Sequence, residues 1–343
     1  MRPPSVRLTL RAVTRRDVLA GVGATAALAS CDRLDVPEGT DTALPEPGEV
    51  LPPITPNDDF YVTSCCGTPE IDRAAWTLTI EDDVTAARVG TLDMATLEAM
   101  PAREKEHTLE CIGASPYFRS IGNAIWTGLP LVEILDALGV AVPASAVEIM
   151  FTGADDYQTS IPIGDLDKPV WLVWKMNGEP LPDRHGATAR ILTPGRYGIK
   201  NPKWLTEIRF VTEPVLGFWE SRGWSNTAEY RANTFFVSPS ASAVLTAGPV
   251  RFLGTAFAGS DPIARVEVST DGGGSWADAE ITYQNGPDVW TLWAFDWDAV
   301  AGDYQIQVRA TTESGKQSAL EPNGTDAWGG YNGSMLIDVS VRN

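Results

Sequence analysis

The sequence predicts an α+β domain followed by a β-sandwich, and three observations carry that expectation. Its 343 residues exceed what one ordinary hydrophobic core organises, so two domains are expected. The stretch from Phe60 to about Pro239 mixes short alternating strands with a few helices and shows no regular βαβ repeat. Beyond Pro239 the texture becomes strand after strand divided by turns. Apolar residues make up 43% of the chain and aromatics 9%, enough to fill packed cores.

In chain order, residues 76–80 (WTLTI) alternate like a half-buried strand. Residues 91–100 read as a short helix in which Thr91 caps, Leu92 and Leu97 face inward, and Pro101 follows the end. A second helix is expected over about 129–138, with Pro130 in its first turn and Gly139 beyond it. Segments 147–151 and 171–174 read as buried strands. In the C-terminal part, 250–253, 263–269, 289–297 and 304–310 are strand-like, separated by turn signals at 271–274, 285–287 and 301–303. The expected domains are therefore 57–240 and 245–343, with a boundary near 238–245 and no catalytic constellation in the second.

Charge narrows the function. Against 45 acidic residues stand 26 Lys and Arg, a net charge of −19. So acidic a chain repels phosphate backbones, and no nucleic-acid partner is expected. Four cysteines are too few for a disulfide scaffold of this size, and two histidines exclude a multi-histidine metal site. Residues 1–30 hold five arginines and one acid, a net +4, which leaves the rest of the chain at −23. Arg15-Arg16 precede a small apolar run over 18–29, shorter than the roughly 20 residues of a membrane span. This is the layout of an export signal of the twin-arginine kind, which carries proteins already folded and often loaded with a cofactor. A lipobox-like end (Leu28-Ala29-Ser30-Cys31) points to lipidation at Cys31, and residues 31–56, rich in Pro, Glu, Asp and Thr, read as a flexible tether. A periplasmic or cell-envelope location follows as an expectation.

Two segments could carry chemistry. Cys111 closes the strand-like run EHTLECIG at 106–113, where a glycine turn can present a thiol into a cleft; a thiolate is a soft ligand for transition metals. Taken alone, a single cysteine beside apolar residues is more often a small core side chain, and His107 is more often a hydrogen-bonded structural histidine than a ligand. The second segment packs His185, Arg190, Arg196, Lys200 and Lys203 into nineteen residues punctuated by Pro and Gly. Such a cationic excess in an acidic chain suits an anionic ligand, with arginine for bidentate phosphate contact and glycine for close backbone approach. The alternative is a solvated basic patch.

Taken together, these motifs resemble the sulfite oxidase family. Those that carry the resemblance are TLECIG around Cys111, GNAIWTGLPL at 122–131, YQTSIP at 157–162, the MNGEPLP…HG…R…PG block from 176, and Lys203-Trp204-Leu205. The segments GTAFA (254–258) and VEVS…DG…SW (266–276) resemble that family's immunoglobulin-like dimerisation domain, so the match runs over about 55–343. The resemblance implies a bacterial molybdopterin-dependent oxidoreductase, with a molybdenum bound by one pyranopterin dithiolene and by the Cys111 thiolate. It implies that His185, Arg190 and Lys203, with the backbone around Asn201, hold the pterin and its phosphate. Phe60, Tyr61, Thr63 and Ser64 match a further cofactor-contacting strand end, and Thr152 is expected to reach the cofactor.

Departures from the family pattern bear on the substrate. Sulfite oxidases carry several pocket arginines and a tyrosine. Here the corresponding positions are Thr63, Pro116 (with Arg119 close by) and Trp224, Ala114 replaces an asparagine, and the 290–293 segment has no arginine. Desolvating a small anion without cationic partners is costly. The expectation is thus two-electron oxygen-atom transfer on a small molecule other than sulfite, with Cys111 and Trp224 at the reacting centre. Sulfite dehydrogenation to sulfate is the alternative, and a lipid-anchored binding protein without catalysis the rival. No haem or flavin module is evident, so a separate electron-transfer partner such as a c-type cytochrome or a membrane protein is implied, as is a homodimer. Cys65 and Cys66 receive no role.

Overall fold

A computed structural model describes residues 48–65, 67–115, 119–239, 243–320 and 328–343. The export segment, Cys31, Cys66 and Pro116 lie outside the described residues. The first part of the chain forms β1 (Thr77–Asp82), β2 (Ala87–Asp93), α1 (Met94–Ala99), β3 (Arg103–Glu110), β4 (Ile121–Pro130), α2 (Leu131–Ala137), β5 (Glu148–Gly153), β6 (Gln158–Pro162), β7 (Trp171–Met176), β8 (Glu179–Pro180), β9 (Arg190–Leu192) and β10 (Leu205–Val211). One sheet has the order β2-β1-β10-β5-β6, with β1 and β10 parallel; the other is β3-β4-β7-β8, with β9 added alongside β7. In β1, Leu78 and Ile80 face the core while Thr77 and Thr79 point outward, the period-two pattern of a strand with one covered face. Burying side chains of that size contributes roughly 1.5–3 kcal/mol each.

Both helices start later than their sequence suggests. Residues 91–93 still belong to β2, held extended by pairing Thr91 with Thr79 and Asp93 with Thr77. The cap is therefore Asp93, whose carboxylate accepts from Thr96 N–H at 2.8 Å, and not Thr91. Likewise β4 runs on through Pro130, which pairs with Trp171, so α2 begins at Leu131 with Pro130 in the cap position.

The second part forms β11 (Asn233–Ser238), β12 (Leu245–Thr246), β13 (Gly248–Phe257), β14 (Ile263–Ser269), β15 (Ala277–Asp278), β16 (Glu280–Tyr283), β17 (Thr291–Ala299), β18 (Gly302–Thr312) and β19 (Leu336–Arg342). They make two facing sheets, β11-β13-β17-β16 and β12-β19-β18-β14-β15, around a core that includes Phe252, Val266, Trp293 and Ile306. The sandwich starts earlier than the change of texture near 238–245 implies, because β11 already pairs with β13.

The tether expected over 31–56 is corrected at its C-terminal end. Arg251 donates to Glu49 O, Trp290 Nε1 and Asn123 Nδ2 both donate to Pro53 O, and Thr55 N–H donates to Asn123 O. These bonds fasten residues 49–55 across β4 and the sandwich, a placement that composition alone does not reveal.

Candidate active site

Strand β3 positions the site. Its residues Glu106, Thr108 and Glu110 face the sandwich: Glu106 accepts from Tyr283 Oη (2.8 Å) and Asn285 Nδ2 (2.5 Å), and Thr108 Oγ1 accepts from Trp290 N–H (2.9 Å). Asn233 Nδ2 donates to both oxygens of the Glu110 carboxyl at 3.0 Å. The alternate residues Lys105, His107 and Leu109 lie opposite Trp126, Ala124 and Gly122 of β4, on the other face. The strand then ends in a tight turn: Cys111 N–H donates to Ser120 O, and Ala114 N–H donates to Cys111 O, each at 2.9 Å.

Two glycines define what surrounds the Cys111 side chain. A Cβ placed on Gly113 would lie 3.8 Å from Cys111 Sγ and 3.7 Å from the Trp224 ring, so thiol and indole flank the same turn. A Cβ on Gly198 would lie 3.2 Å from Tyr61 Oη and 3.8 Å from Cys111 Cα, so Tyr61 also lies near the turn. Burial raises the Tyr61 phenol well above its ordinary value, with the Cys111 thiol adding to the effect and Arg190 opposing it. Tyr61 thus stays a neutral hydroxyl between Cys111 and Arg190.

The cationic run divides in two. Arg196 pairs with Asp165 at 2.5 Å, and Lys200 pairs with the buried Glu220 at 2.5 Å while donating to Ser160 O. Those two charges are matched within the fold. Arg190 and Lys203 have no carboxylate partner among the described residues. Arg190 donates Nη1 to His185 O (3.0 Å) and Nη2 to Asn201 O (3.1 Å), its guanidinium lies 5.2 Å over Trp126, and its buried Nε has no acceptor. Burial pulls it down to about 10, opposed by Tyr61 and Tyr230. Lys203 donates to Arg184 O at 3.0 Å and sits 4.1 Å over Trp204; burial, followed by Arg190, pulls it down to about 7. A Cβ on Gly186 would be 3.1 Å from Lys203 Cβ and 3.2 Å from Arg190 Cβ, which places the two stems side by side. His185 donates Nε2–H to Asn57 O at 2.7 Å, and burial lowers it to about 4, so its ring is neutral.

The other expected residues divide into supports and open groups. Phe60 is buried, stacking on Tyr61 and edge-on to Trp126 and His185. Thr63 Oγ1 is buried with no partner, whereas Ser64 donates to Gly67 O. Asn201 uses its side chain on the loop itself, accepting from Thr193 N–H and donating to Arg196 O and Tyr197 O; only its carbonyl turns to Arg190. Thr152 accepts from Gln158 at the end of β5, where Gly153 abuts Lys203 O. Trp224 stands edge-on to Trp219 and Trp328. Arg119 donates to Phe236 O and Val237 O, and the exposed Arg222 donates to Phe218 O and folds 3.6 Å over the Phe218 ring.

Sequence reasoning missed the Glu110–Asn233 contact and the part played by Thr188, whose buried hydroxyl has no partner. It also treated His107 as hydrogen-bonded, whereas both its ring nitrogens are buried without partners. An acidic residue directly before Cys111, at the end of the strand-like run, is the one signal that could have flagged Glu110.

The chain also matches known proteins over most of its length. Residues 66–219 match the oxidoreductase molybdopterin binding domain and residues 225–328 the Mo-co oxidoreductase dimerisation domain. Mitochondrial sulfite oxidase of Drosophila melanogaster is 29% identical over 310 residues, covering 75% of this chain and 53% of that protein. Sulfite oxidase of Arabidopsis thaliana is 26% identical over 311 residues, 76% of this chain and 79% of that one. Nitrate reductase [NADH] 1 of the same plant is 26% identical over 324 residues, 76% and 35%. Against the first of these relatives, and the mouse enzyme at 49%, the chain spans about half the relative's length. The sulfane dehydrogenase SoxCD of Paracoccus pantotrophus shares the fold, with a TM-score of 0.74, 24% identity, and coverage of 85% of this chain and 82% of that one.

Proposed function

Because the chain belongs to the molybdopterin-binding oxidoreductases of the sulfite oxidase family, we propose that it is a molybdenum enzyme transferring an oxygen atom to or from a small neutral substrate. The observation that carries this is the pair of Arg190, buried, and Lys203, half-buried, neither of them in an ion pair among the described residues, with Tyr61 near both Arg190 and the half-buried Cys111 thiol. An uncompensated buried charge costs several kcal/mol, and the anionic phosphate of the pterin cofactor would offset it. The orphaned Arg190 Nε and Thr188 Oγ1 provide the further donors that such a ligand needs, so the residues present fit the group.

In this reading Cys111 ligates the metal, Arg190 and Lys203 hold the phosphate end, and Asn201 and His185 fix the direction of Arg190 through their carbonyls. When bound, the cofactor supplies the two-electron redox change that accompanies oxygen-atom transfer. Tyr61, kept neutral by burial, can donate a hydrogen bond beside Cys111. Trp224, Trp219 and Trp328 give the approach an aromatic wall.

That wall is the reason for a neutral substrate, such as a sulfoxide. Arg119 and Arg222 are both engaged elsewhere, and the Thr63 hydroxyl stands where sulfite oxidases place an arginine, so a desolvated sulfite would meet indole rings instead of guanidinium. The names of its relatives favour a second reading, oxidation of sulfite to sulfate, and those relatives include a nitrate reductase as well. We place the enzyme in the cell envelope, exported by the twin-arginine route on Arg15-Arg16 and tethered at Cys31, passing electrons to a separate carrier and dimerising through 245–343.

Metal analysis tests the reading. Protein from a host that makes the cofactor should carry roughly stoichiometric molybdenum, and Cys111→Ser should lose it with the fold intact; an apoprotein from such a host would support a binding protein without catalysis. On the same preparation, sulfoxide reduction should exceed sulfite oxidation, and efficient sulfite turnover would sink the neutral-substrate argument.

A further inference from the structure

Asn177 opens the turn between β7 and β8, in the MNGEPLP block at 176–182. Its backbone is left-handed (φ 52°), a conformation that asparagine tolerates better than most residues. Its side chain joins β4 to the N-terminal segment. Ile125 N–H donates to Oδ1 at 2.9 Å, while Nδ2 donates to Thr55 O at 3.0 Å and to Asn57 Oδ1 at 2.9 Å. Asn57 reciprocates by donating Nδ2 to Met176 O at 3.4 Å. The segment so clamped leads directly into the site. Asn57 O accepts from His185 Nε2–H at 2.7 Å and from Arg184 Nη2 at 3.2 Å, and His185 O accepts from Arg190 Nη1. A turn closed by Phe60 N–H on Pro56 O then sets Phe60 edge-on to His185, with Tyr61 stacked on it. Two lines of contact therefore leave Asn177, one through Asn57 and His185 to Arg190, the other along 57–61 to Tyr61. Further back, Asn123 fastens residues 53–55 independently of Asn177.

We propose that Asn177 is a positioning residue for the cofactor site, holding Asn57 so that His185 keeps Arg190 aimed and Tyr61 stays near Cys111. The inference rests on the cofactor reading above. Glycine would fit the same turn but would make none of the three side-chain bonds, so the clamp is what the amide supplies.

Asn177→Gly keeps the turn and removes all three bonds; Asn177→Asp keeps the acceptor for Ile125 N–H and removes both donors. Nitrogen-15 NMR of histidine-labelled protein gives signals for His107 and His185 alone, assigned with a His107→Gln variant. In protein from a cofactor-deficient host, both Asn177 variants should lose the hydrogen-bonded Nε2–H signal of His185. Its pKa should climb from about 4 toward the ordinary value of about 6.5 as water reaches the ring. The variant holoenzymes, checked for fold by circular dichroism, should lose pterin on dialysis about three- to tenfold faster than wild type. Val339→Ala, in the sandwich core, controls for lost stability alone and should retain pterin as the wild type does. Unchanged His185 signals or unchanged retention in both Asn177 variants, or equal loss from the Val339→Ala control, would overturn the proposal. Wild-type protein lacking pterin altogether would instead contradict the cofactor reading, while the His185 signals still decide whether Asn177 positions that ring.

Discussion

Lys203 and Thr63 set the two properties of the site that single side chains can change. Lys203 is held to about 7 by burial, while the phosphate of a bound cofactor favours its charged form. Binding therefore takes up a proton, and affinity falls as pH rises through about 7. Cofactor retention after dialysis between about pH 6 and 9 should decline for the wild type and stay flat for Lys203→Arg, because the guanidinium remains charged throughout. Thr63 carries an unpartnered buried hydroxyl and, in the reading proposed above, takes the place of a pocket arginine. Thr63→Arg should lower the KM for sulfite about tenfold or more, the worth of one charge-assisted contact, and weaken turnover of a neutral substrate. Equal sulfite kinetics in the two proteins would remove Thr63 from the specificity argument.

At the scale of elements, β3 joins the site to the sandwich: one row of its side chains engages β11, β16 and the 285–290 loop while its end presents Cys111. Removing Asn233 strands the buried Glu110 carboxyl, which burial already pushes up to about 8. Asn233→Ala should cost about 1–3 kcal/mol in urea unfolding, whereas an exposed control such as Asn285→Ala should cost less. The strands themselves were legible because their alternation is local: 76–80, 147–151 and 171–174 each fall within or beside an observed strand. The helix starts were not, since Thr91 and Pro130 are claimed by strand partners that the local sequence does not show. The same holds for the site. Cys111 and the cationic run could be read from composition and spacing, but which cations remain open could not, because Asp165 and Glu220 reach Arg196 and Lys200 only through the tertiary fold. Glu110 and Asn233 are 123 residues apart, and no local pattern joins them.

On the scale of the whole molecule, an acidic chain of net charge −19 holds the buried Arg190 and the half-buried Lys203 without an ion-pair partner among the described residues, and a bound anion would offset that cost. The cofactor is accordingly a folding ligand as well as a chemical one, stabilising the native state by about 2.7 kcal/mol at a hundredfold excess over its Kd. Everything else in the account hangs on the metal being held at the end of β3. X-ray absorption at the molybdenum edge of the holoenzyme counts its sulfur neighbours directly. The account predicts three, two from the dithiolene and one from Cys111, falling to two in any molybdenum retained by Cys111→Ser. Two sulfurs in the wild type, or three in the variant, would contradict it.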